Sequence, residues 1–166
     1  LEFSRVLFRS VFGGGLLFCT SGRNGPTLAV APHRNSPALV WSSPRGGPHV
    51  PSPILVDGAV YLLNDRGIVS CLDARDGSTI YQQRLQGKYY ASPVAAGDRI
   101  YLTNEDGRTT VIRSGRKFEV LAVNQLDGPM RASFALVDGR IYARSHGFLY
   151  CIAAPDASSA RARSDR

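Results

Sequence analysis

The sequence of 166 residues has little cysteine and little histidine, with three residues of each. The cysteines form no Cys-x-x-Cys pair and no adjacent pair, and the histidines are isolated; these residues are Cys19, Cys71, Cys151, His33, His49 and His146. No metal site of common ligand spacing is therefore indicated. We expect Cys71 and Cys151 to be small buried core residues, and cysteine usage does not fix the redox compartment.

Long apolar runs and the short motifs of several enzyme classes are also absent. No run of eighteen apolar residues occurs, so we predict no membrane span. There is no Gly-x-Ser-x-Gly, Walker or dinucleotide-binding fingerprint, and the glycines at 13–15 precede a predicted strand, where they would not cradle phosphate. These absences favour a domain that is not an enzyme.

The positive charge of the chain is not concentrated in one stripe. Part of the formal net charge of +7 comes from residues 1–10 and 157–166, and the other Lys and Arg residues are scattered over turns and strand ends. A nucleic-acid surface usually gathers its basic residues on one face. We therefore expect no nucleic-acid partner.

Short apolar runs separated by tight turns are abundant, most clearly between Ser52 and Gly87. The runs are SPILV, AVYLL, IVSCL and STIYQQRL, and the turns between them fall at 57–58, 64–67 and 74–77. Runs of this length, rich in β-branched and aromatic residues and bounded by Asp, Asn and Gly, are typical of antiparallel strands. The stretch predicts one four-stranded antiparallel sheet.

The same unit then recurs along the chain. Equivalent residues lie 40 or 41 positions apart, namely Ser52, Ser92 and Ser133, then Tyr61, Tyr101 and Tyr142, then Gly67, Gly107 and Gly147. A four-stranded unit with this period is the signature of a β-propeller blade. We predict an all-β fold, a partial β-propeller of about three to four four-stranded antiparallel blades of roughly 40 residues each. The three tyrosines are expected to pack between blades.

The repeat divides the chain into segments. Residues 1–10 join no repeat and resemble the translation of a sequencing adapter, so we interpret them as a non-native scar; the alternative is a short natural strand. The predicted units are a partial blade at 11–49, blades at 50–89 and 90–129, a last blade without its fourth strand at 130–153, and a disordered tail at 154–166. The blade at 11–49 is expected to lack its first strand. The chain is thus interpreted as the C-terminal part of a longer propeller, whose missing N-terminal blades close the ring.

One stretch of the second unit carries a family motif. Residues 71–81, CLDARDGSTIY, resemble the repeat of quinoprotein-type propellers, Ala-x-Asp-x-x-Thr-Gly-Lys-x-x-Trp, which is also found in outer-membrane protein assembly lipoproteins. Five residues are singled out as the structural motif: Asp73 and Gly77 match, Asp76 stands for the threonine, Tyr81 stands for the docking tryptophan, and Trp41 is that tryptophan in the preceding blade. Local chemistry fits this role, because Asp-x-x-Asp-Gly favours a turn and the aromatic residue can cap the neighbouring blade.

The resemblance implies location in the periplasm or cell envelope. The leading hypothesis is a non-catalytic propeller that offers its loops and central channel to a protein partner or a small ligand. The alternative is the C-terminal part of a quinoprotein dehydrogenase, which the resemblance would link to pyrroloquinoline quinone and calcium. We assign no catalytic, cofactor-binding or metal-binding residue, because the aspartates nearly all fall in Asp/Gly turns, where local backbone bonding explains them.

Overall fold

The computed structural model describes residues 9–32 and 37–154, and every element in these ranges is a β-strand. Blade 1 comprises Arg9–Gly13 (β1), Leu16–Thr20 (β2), Thr27–Ala31 (β3) and Ala38–Ser43 (β4). Blade 2 comprises Ile54–Val56 (β5), Ala59–Leu63 (β6), Ile68–Asp73 (β7) and Thr79–Arg84 (β8). Blade 3 comprises Val94–Ala96 (β9), Arg99–Thr103 (β10), Arg108–Arg113 (β11) and Val120–Gln125 (β12). Blade 4 comprises Ala135–Val137 (β13), Arg140–Arg144 (β14) and Leu149–Ala153 (β15).

Each blade is one antiparallel sheet whose strands lie in chain order. Blades 1 to 3 have four strands, and blade 4 has three strands within the described residues. The register shifts between the third and fourth strands of blades 1 to 3, at Ala29/Val30, Cys71/Leu72 and Val111/Ile112. This architecture confirms the predicted all-β, partial propeller.

The first strand of blade 1 differs from the sequence prediction. That blade was expected to lack its first strand, but β1 pairs with β2 along its whole length, from Arg9 opposite Thr20 to Gly13 opposite Leu16. The two-residue turn explains the hairpin, because Gly14 and Gly15 both have positive φ, 59° and 77°, as the tightest hairpin turn requires. Blade 1 therefore begins within the segment interpreted as a scar. Residues 1–8, residues 33–36, which include His33, and residues 155–166 of the predicted tail lie outside the described residues.

Two hydrophobic clusters fill the spaces between blades. All five residues of β6 are buried. Since side chains alternate along a strand, Tyr61 and Leu63 join the cluster shared with blade 3, while Val60 and Leu62 join the cluster shared with blade 1. Each fully buried aliphatic side chain of this kind stabilises the fold by about 1.5–3 kcal/mol. Strand β6 of blade 2 thus packs against both neighbouring blades and helps to hold the three blades together.

Blade 4 is more exposed to solvent than blade 2. Among the described residues, large apolar side chains of blade 4 are exposed, including Phe148 at 63% and Leu149 at 75%. Cys71 is buried between blades, but Cys151 is exposed, so the expectation of a buried Cys151 is wrong. The physical reason is that the described residues place no further blade against β15.

The residues that precede the first strands are linked around the inner side of the blades. The Ser52 amide donates to Ser92 Oγ at 2.9 Å, and the Ser92 amide donates to Ser133 Oγ at 2.9 Å. The residues found at the repeat spacing are therefore joined to one another. The ranges that the structure describes contain no helix with the length and apolar character needed to cross a membrane.

Candidate functional site

The motif residues of blade 2 build a compact turn between β7 and β8, which we call the docking turn (residues 73–78). The Gly77 amide donates to the Asp73 carbonyl at 2.9 Å, and the Asp73 amide donates to the Ser78 carbonyl at 2.9 Å. The Asp76 carboxylate accepts from the Ser78 amide at 2.8 Å, and hydrogen bonding first to the Ser78 side chain and then to this amide lowers the pKa of Asp76. The backbone of Asp73 and the carboxylate of Asp76 therefore stabilise the turn itself.

Trp41 of blade 1 packs on this docking turn. Its indole Nε1 donates to the Ala74 carbonyl at 2.9 Å. A Cβ atom placed on Gly77 would lie 2.6 Å from Cε3 of the Trp41 ring, and Gly77 has a φ of +73°. Glycine is thus needed at this position for two reasons, the backbone conformation and the approach of the indole.

The Asp73 carboxylate is an ionic link between blades 2 and 3. Its side chain is 4% exposed and binds Arg75 at 3.0 Å within its own turn and Arg116 of blade 3 at 2.9 Å. Hydrogen bonds from Arg75 and then from Arg116 hold the pKa of Asp73 well below its usual range. A buried carboxylate held by two guanidinium groups is a structural anion and has no free lone pair directed at a ligand.

The tyrosine that stands for the docking tryptophan of blade 2 behaves differently from Trp41. Tyr81 packs edge-on against Phe118 of blade 3, with ring centroids 5.6 Å apart. Its buried hydroxyl has no hydrogen-bond partner in the part of the chain that the structure describes, and burial raises its pKa. In blade 2, Tyr61 and not Tyr81 is the aromatic residue that hydrogen-bonds to a turn of the next blade. Its hydroxyl accepts from the Gly115 amide at 2.7 Å and lies 3.2 Å from the Gly115 carbonyl.

Sequence reasoning did not find the partners from blade 3. Arg116, Gly115 and Phe118 lie in or beside a compact basic turn at 113–117 that the sequence displays clearly. This turn lies one repeat after the docking turn and is therefore the equivalent turn of the neighbouring blade. That equivalence is the signal in the sequence that could have identified it. The motif residues and their partners together form the seams between blades.

The described residues do not fit a quinone-calcium centre. No group of three or more His, Cys, Asp or Glu side chains that could hold a metal occurs in residues 9–32 and 37–154. Other carboxylates are bound within the protein, since Arg113 binds Asp98 at 2.7 Å and Glu119 at 3.1 Å. Calcium needs six to eight oxygen ligands, and this donor set does not offer them.

Residues 27–129 match the family model described as outer membrane protein assembly factor BamB. The chain is 30% identical over 111 residues to the outer membrane protein assembly factor BamB of Marinobacter adhaerens, covering 64% of this chain and 27% of that protein. The chain therefore spans about a quarter of the length of this curated relative.

Two solved structures share the architecture. The crystal structure of BamB from Moraxella catarrhalis aligns with a TM-score of 0.70 at 19% identity, over 84% of this chain and 43% of that one. A europium-containing methanol dehydrogenase aligns with a TM-score of 0.64 at 14% identity, over 76% of this chain and 27% of that one. At these identities the similarity concerns the fold alone.

Proposed function

Because the chain belongs to the outer membrane protein assembly factor BamB family, we propose that it is part of a non-catalytic β-propeller scaffold that acts in outer-membrane protein assembly. One observation carries this proposal. Two polar side chains of the family motif join neighbouring blades, through Asp73 to Arg116 and Trp41 to Ala74. The motif therefore offers no free carboxylate for catalysis. Its contacts between blades are those expected of a rigid scaffold.

The proposed partner is a protein, bound by turns and connections on the propeller rim. Exposed turns positioned by a rigid scaffold are common binding surfaces. The name of the Marinobacter relative describes an assembly factor, and the proposed location is the cell envelope.

The dehydrogenase alternative has weaker support. It draws on the fold shared with a methanol dehydrogenase at 14% identity, and unrelated functions often share one fold. The motif carboxylates of Asp73 and Asp76 are committed to structural contacts, so nothing at the motif favours quinone binding.

The proposal is tested with the full-length protein, tagged and cross-linked in intact cells. We expect outer-membrane assembly proteins to be enriched over a tagged, unrelated envelope protein in mass spectrometry of the cross-linked products. A parallel assay supplies pyrroloquinoline quinone, calcium, methanol and an electron-accepting dye. Dye reduction without enrichment of any assembly protein would overturn the scaffold proposal.

A further inference from the structure

A cleft of about 340 Å³ lies where the turns of blades 1 and 2 meet. Arg23 and His49 line it from blade 1 and the connection that follows, and Arg66 and Arg84 line it from blade 2. We call these four residues the basic cleft. Among the described residues that line it, Asp65 is the single carboxylate. The cleft therefore has an excess of positive charge in a concave surface, where such charge acts most strongly on an anion.

The side of the cleft from blade 1 is held in an uncommon backbone conformation. Arg23 and Asn24 have φ values of 45° and 63°, and this left-handed conformation costs about 1–3 kcal/mol for a residue other than glycine. The Asn24 amide donates to the Gly47 carbonyl at 3.0 Å, and the Gly47 amide donates to the Gly25 carbonyl at 2.9 Å. These bonds fix the turn of Arg23 to the connection that carries His49.

The side from blade 2 is equally well fixed. The buried side chain of Asn64 accepts from the amides of Arg66 at 3.0 Å and Ile68 at 2.9 Å. Arg84 lies opposite Ile68 on the neighbouring strand. Both guanidinium groups therefore extend from rigid backbone, which reduces the entropy lost when they bind a ligand.

The arginines of the basic cleft have no partner of opposite charge in the described ranges. The ion pairs found there involve other arginines, namely Arg75, Arg99, Arg113, Arg116 and Arg131. The fold of this turn does not require the charge of Arg66 either, since Asp106 occupies the same position in the equivalent turn of blade 3. Arg23 Nε donates to His49 Nε2 at 3.5 Å, a neutral contact that leaves the charges of the cleft arginines available to a ligand.

We infer that the basic cleft binds an acidic peptide segment of a protein partner, an inference that rests on the proposed scaffold function. Arginine forms paired hydrogen bonds with carboxylates. The Asp65 carboxylate would repel a phosphate ion, but it can accept from a peptide N–H, and Ile68 offers an apolar contact in the same lining. A peptide with acidic side chains and a backbone donor matches this mixture better than inorganic phosphate or a nucleic acid.

The experiment selects twelve-residue peptides from a random displayed library on the full chain. We expect the selected peptides to be rich in Asp and Glu and to bind more weakly as salt increases. Replacing Arg66 and Arg84 together by Glu should weaken their binding at least about tenfold, as loss of charged interface contacts does. The matched control is Arg45→Glu, which makes the same kind of change at an exposed residue of the connection that carries His49, outside the cleft, and should leave binding within about twofold.

Three outcomes would overturn the inference. They are selected peptides without acidic residues, equal binding to the double variant and the wild type, and equally strong competition by a twelve-nucleotide oligodeoxythymidylate, which would assign the cleft to nucleic acid. The proposed function is tested separately by the cross-linking experiment. A cross-linked assembly protein that binds the double variant as strongly as the wild type would contradict the acidic-peptide site alone and leave the scaffold in place.

Discussion

The indole Nε1 of Trp41 donates a hydrogen bond of 2.9 Å to the carbonyl oxygen of Ala74, across the seam between blades 1 and 2. The same ring covers Gly77 and lies 5.8 Å from the Phe18 ring, centroid to centroid, in the cluster between these blades. The Trp41 side chain therefore makes two kinds of contact at the seam, packing in the hydrophobic cluster and a hydrogen bond to the docking turn. Different substitutions of Trp41 can remove the hydrogen bond alone or both contacts.

Replacing Trp41 tests the two contributions. Trp41→Ala should lower the free energy of unfolding by about 3–5 kcal/mol, because a large buried ring is lost. Trp41→Phe keeps most of the apolar area but loses the hydrogen bond, with a smaller expected loss of about 1–2 kcal/mol. Urea unfolding followed by circular dichroism measures both. Val40→Ala, at an exposed neighbour on the same strand, should change stability by less than about 0.5 kcal/mol; equal stability of Trp41→Phe and wild type would contradict the bond's role.

Gly77 should tolerate a methyl group less well than another glycine with positive φ. Gly77→Ala adds a clash with the Trp41 ring to the backbone cost, whereas Gly97→Ala carries the backbone cost alone, because no atom lies within 4 Å of its added Cβ. We expect Gly77→Ala to be less stable than Gly97→Ala by about 1–3 kcal/mol in urea unfolding. The difference should shrink in a Trp41→Ala background. If it does not shrink, the indole is not the group that excludes the side chain.

Asp73 should make stability depend on pH. Its pKa is depressed in the folded state by Arg75 and then Arg116, so its contribution is present above the usual carboxyl range, near pH 4, and is lost as pH falls below that range. Asp73→Asn should therefore melt at a lower temperature than wild type at pH 7, and the two should converge at acidic pH. Thermal melts between pH 2 and pH 7 measure this. Arg116→Met should reproduce part of the effect, and a constant difference at all pH values would exclude the ion pair as its cause.

The two tyrosine hydroxyls at the seam of blades 2 and 3 should respond in opposite ways. Tyr61→Phe leaves the Gly115 amide without its 2.7 Å acceptor and should cost about 1–3 kcal/mol. Tyr81→Phe removes a buried hydroxyl with no partner in the described residues and should be neutral or stabilising by up to about 1 kcal/mol. Chemical unfolding of both variants provides the comparison. Burial raises the pKa of Tyr61 to about 12, so its ultraviolet titration should begin above that of the exposed tyrosines of the unfolded chain.

The three thiols should react at different rates in the native protein. Cys151 is exposed, Cys19 is half-buried and Cys71 is buried, and burial raises the pKa of both Cys19 and Cys71. Since the thiolate is the reactive form, Ellman's reagent should modify Cys151 first and Cys71 only on unfolding. Mass spectrometry identifies the modified residue at each time. Early modification of Cys71 would mean that blades 2 and 3 separate in solution.

The sequence predicted the blades well wherever local signals were repeated. The apolar runs and Asp-Gly or Asn-Asp-Arg-Gly turns of residues 52–87 correspond to β5 through β8, because turn chemistry and strand propensity are local properties. The first strand of blade 1 was missed, since its residues overlap a segment that looked foreign. Contacts between distant residues were also missed, such as Asp73 with Arg116, 43 positions apart. The repeat spacing brings the two turns that carry these residues next to each other, but it does not tell which side chains of the two turns pair.

The basic cleft is another feature that depends on contacts between distant residues and was not predicted. Arg66 was visible only as one of many scattered basic residues, and its proximity to Arg23 depends on how two turns meet across a seam. The exposure of Cys151 likewise follows from the absence of a blade against β15 in the described residues, which composition and spacing do not encode.

The serine links around the inner side of the blades have a direction. In each, the amide belongs to the earlier blade and the hydroxyl to the later one, from Ser52 to Ser92 and from Ser92 to Ser133. The serine of one repeat thus makes both bonds: its amide donates to the serine of the following blade, and its hydroxyl accepts from the serine of the preceding blade. Duplication of one 40-residue segment of the gene would therefore supply a new blade together with both of its inner joints, which is a simple route by which such rings could change in size.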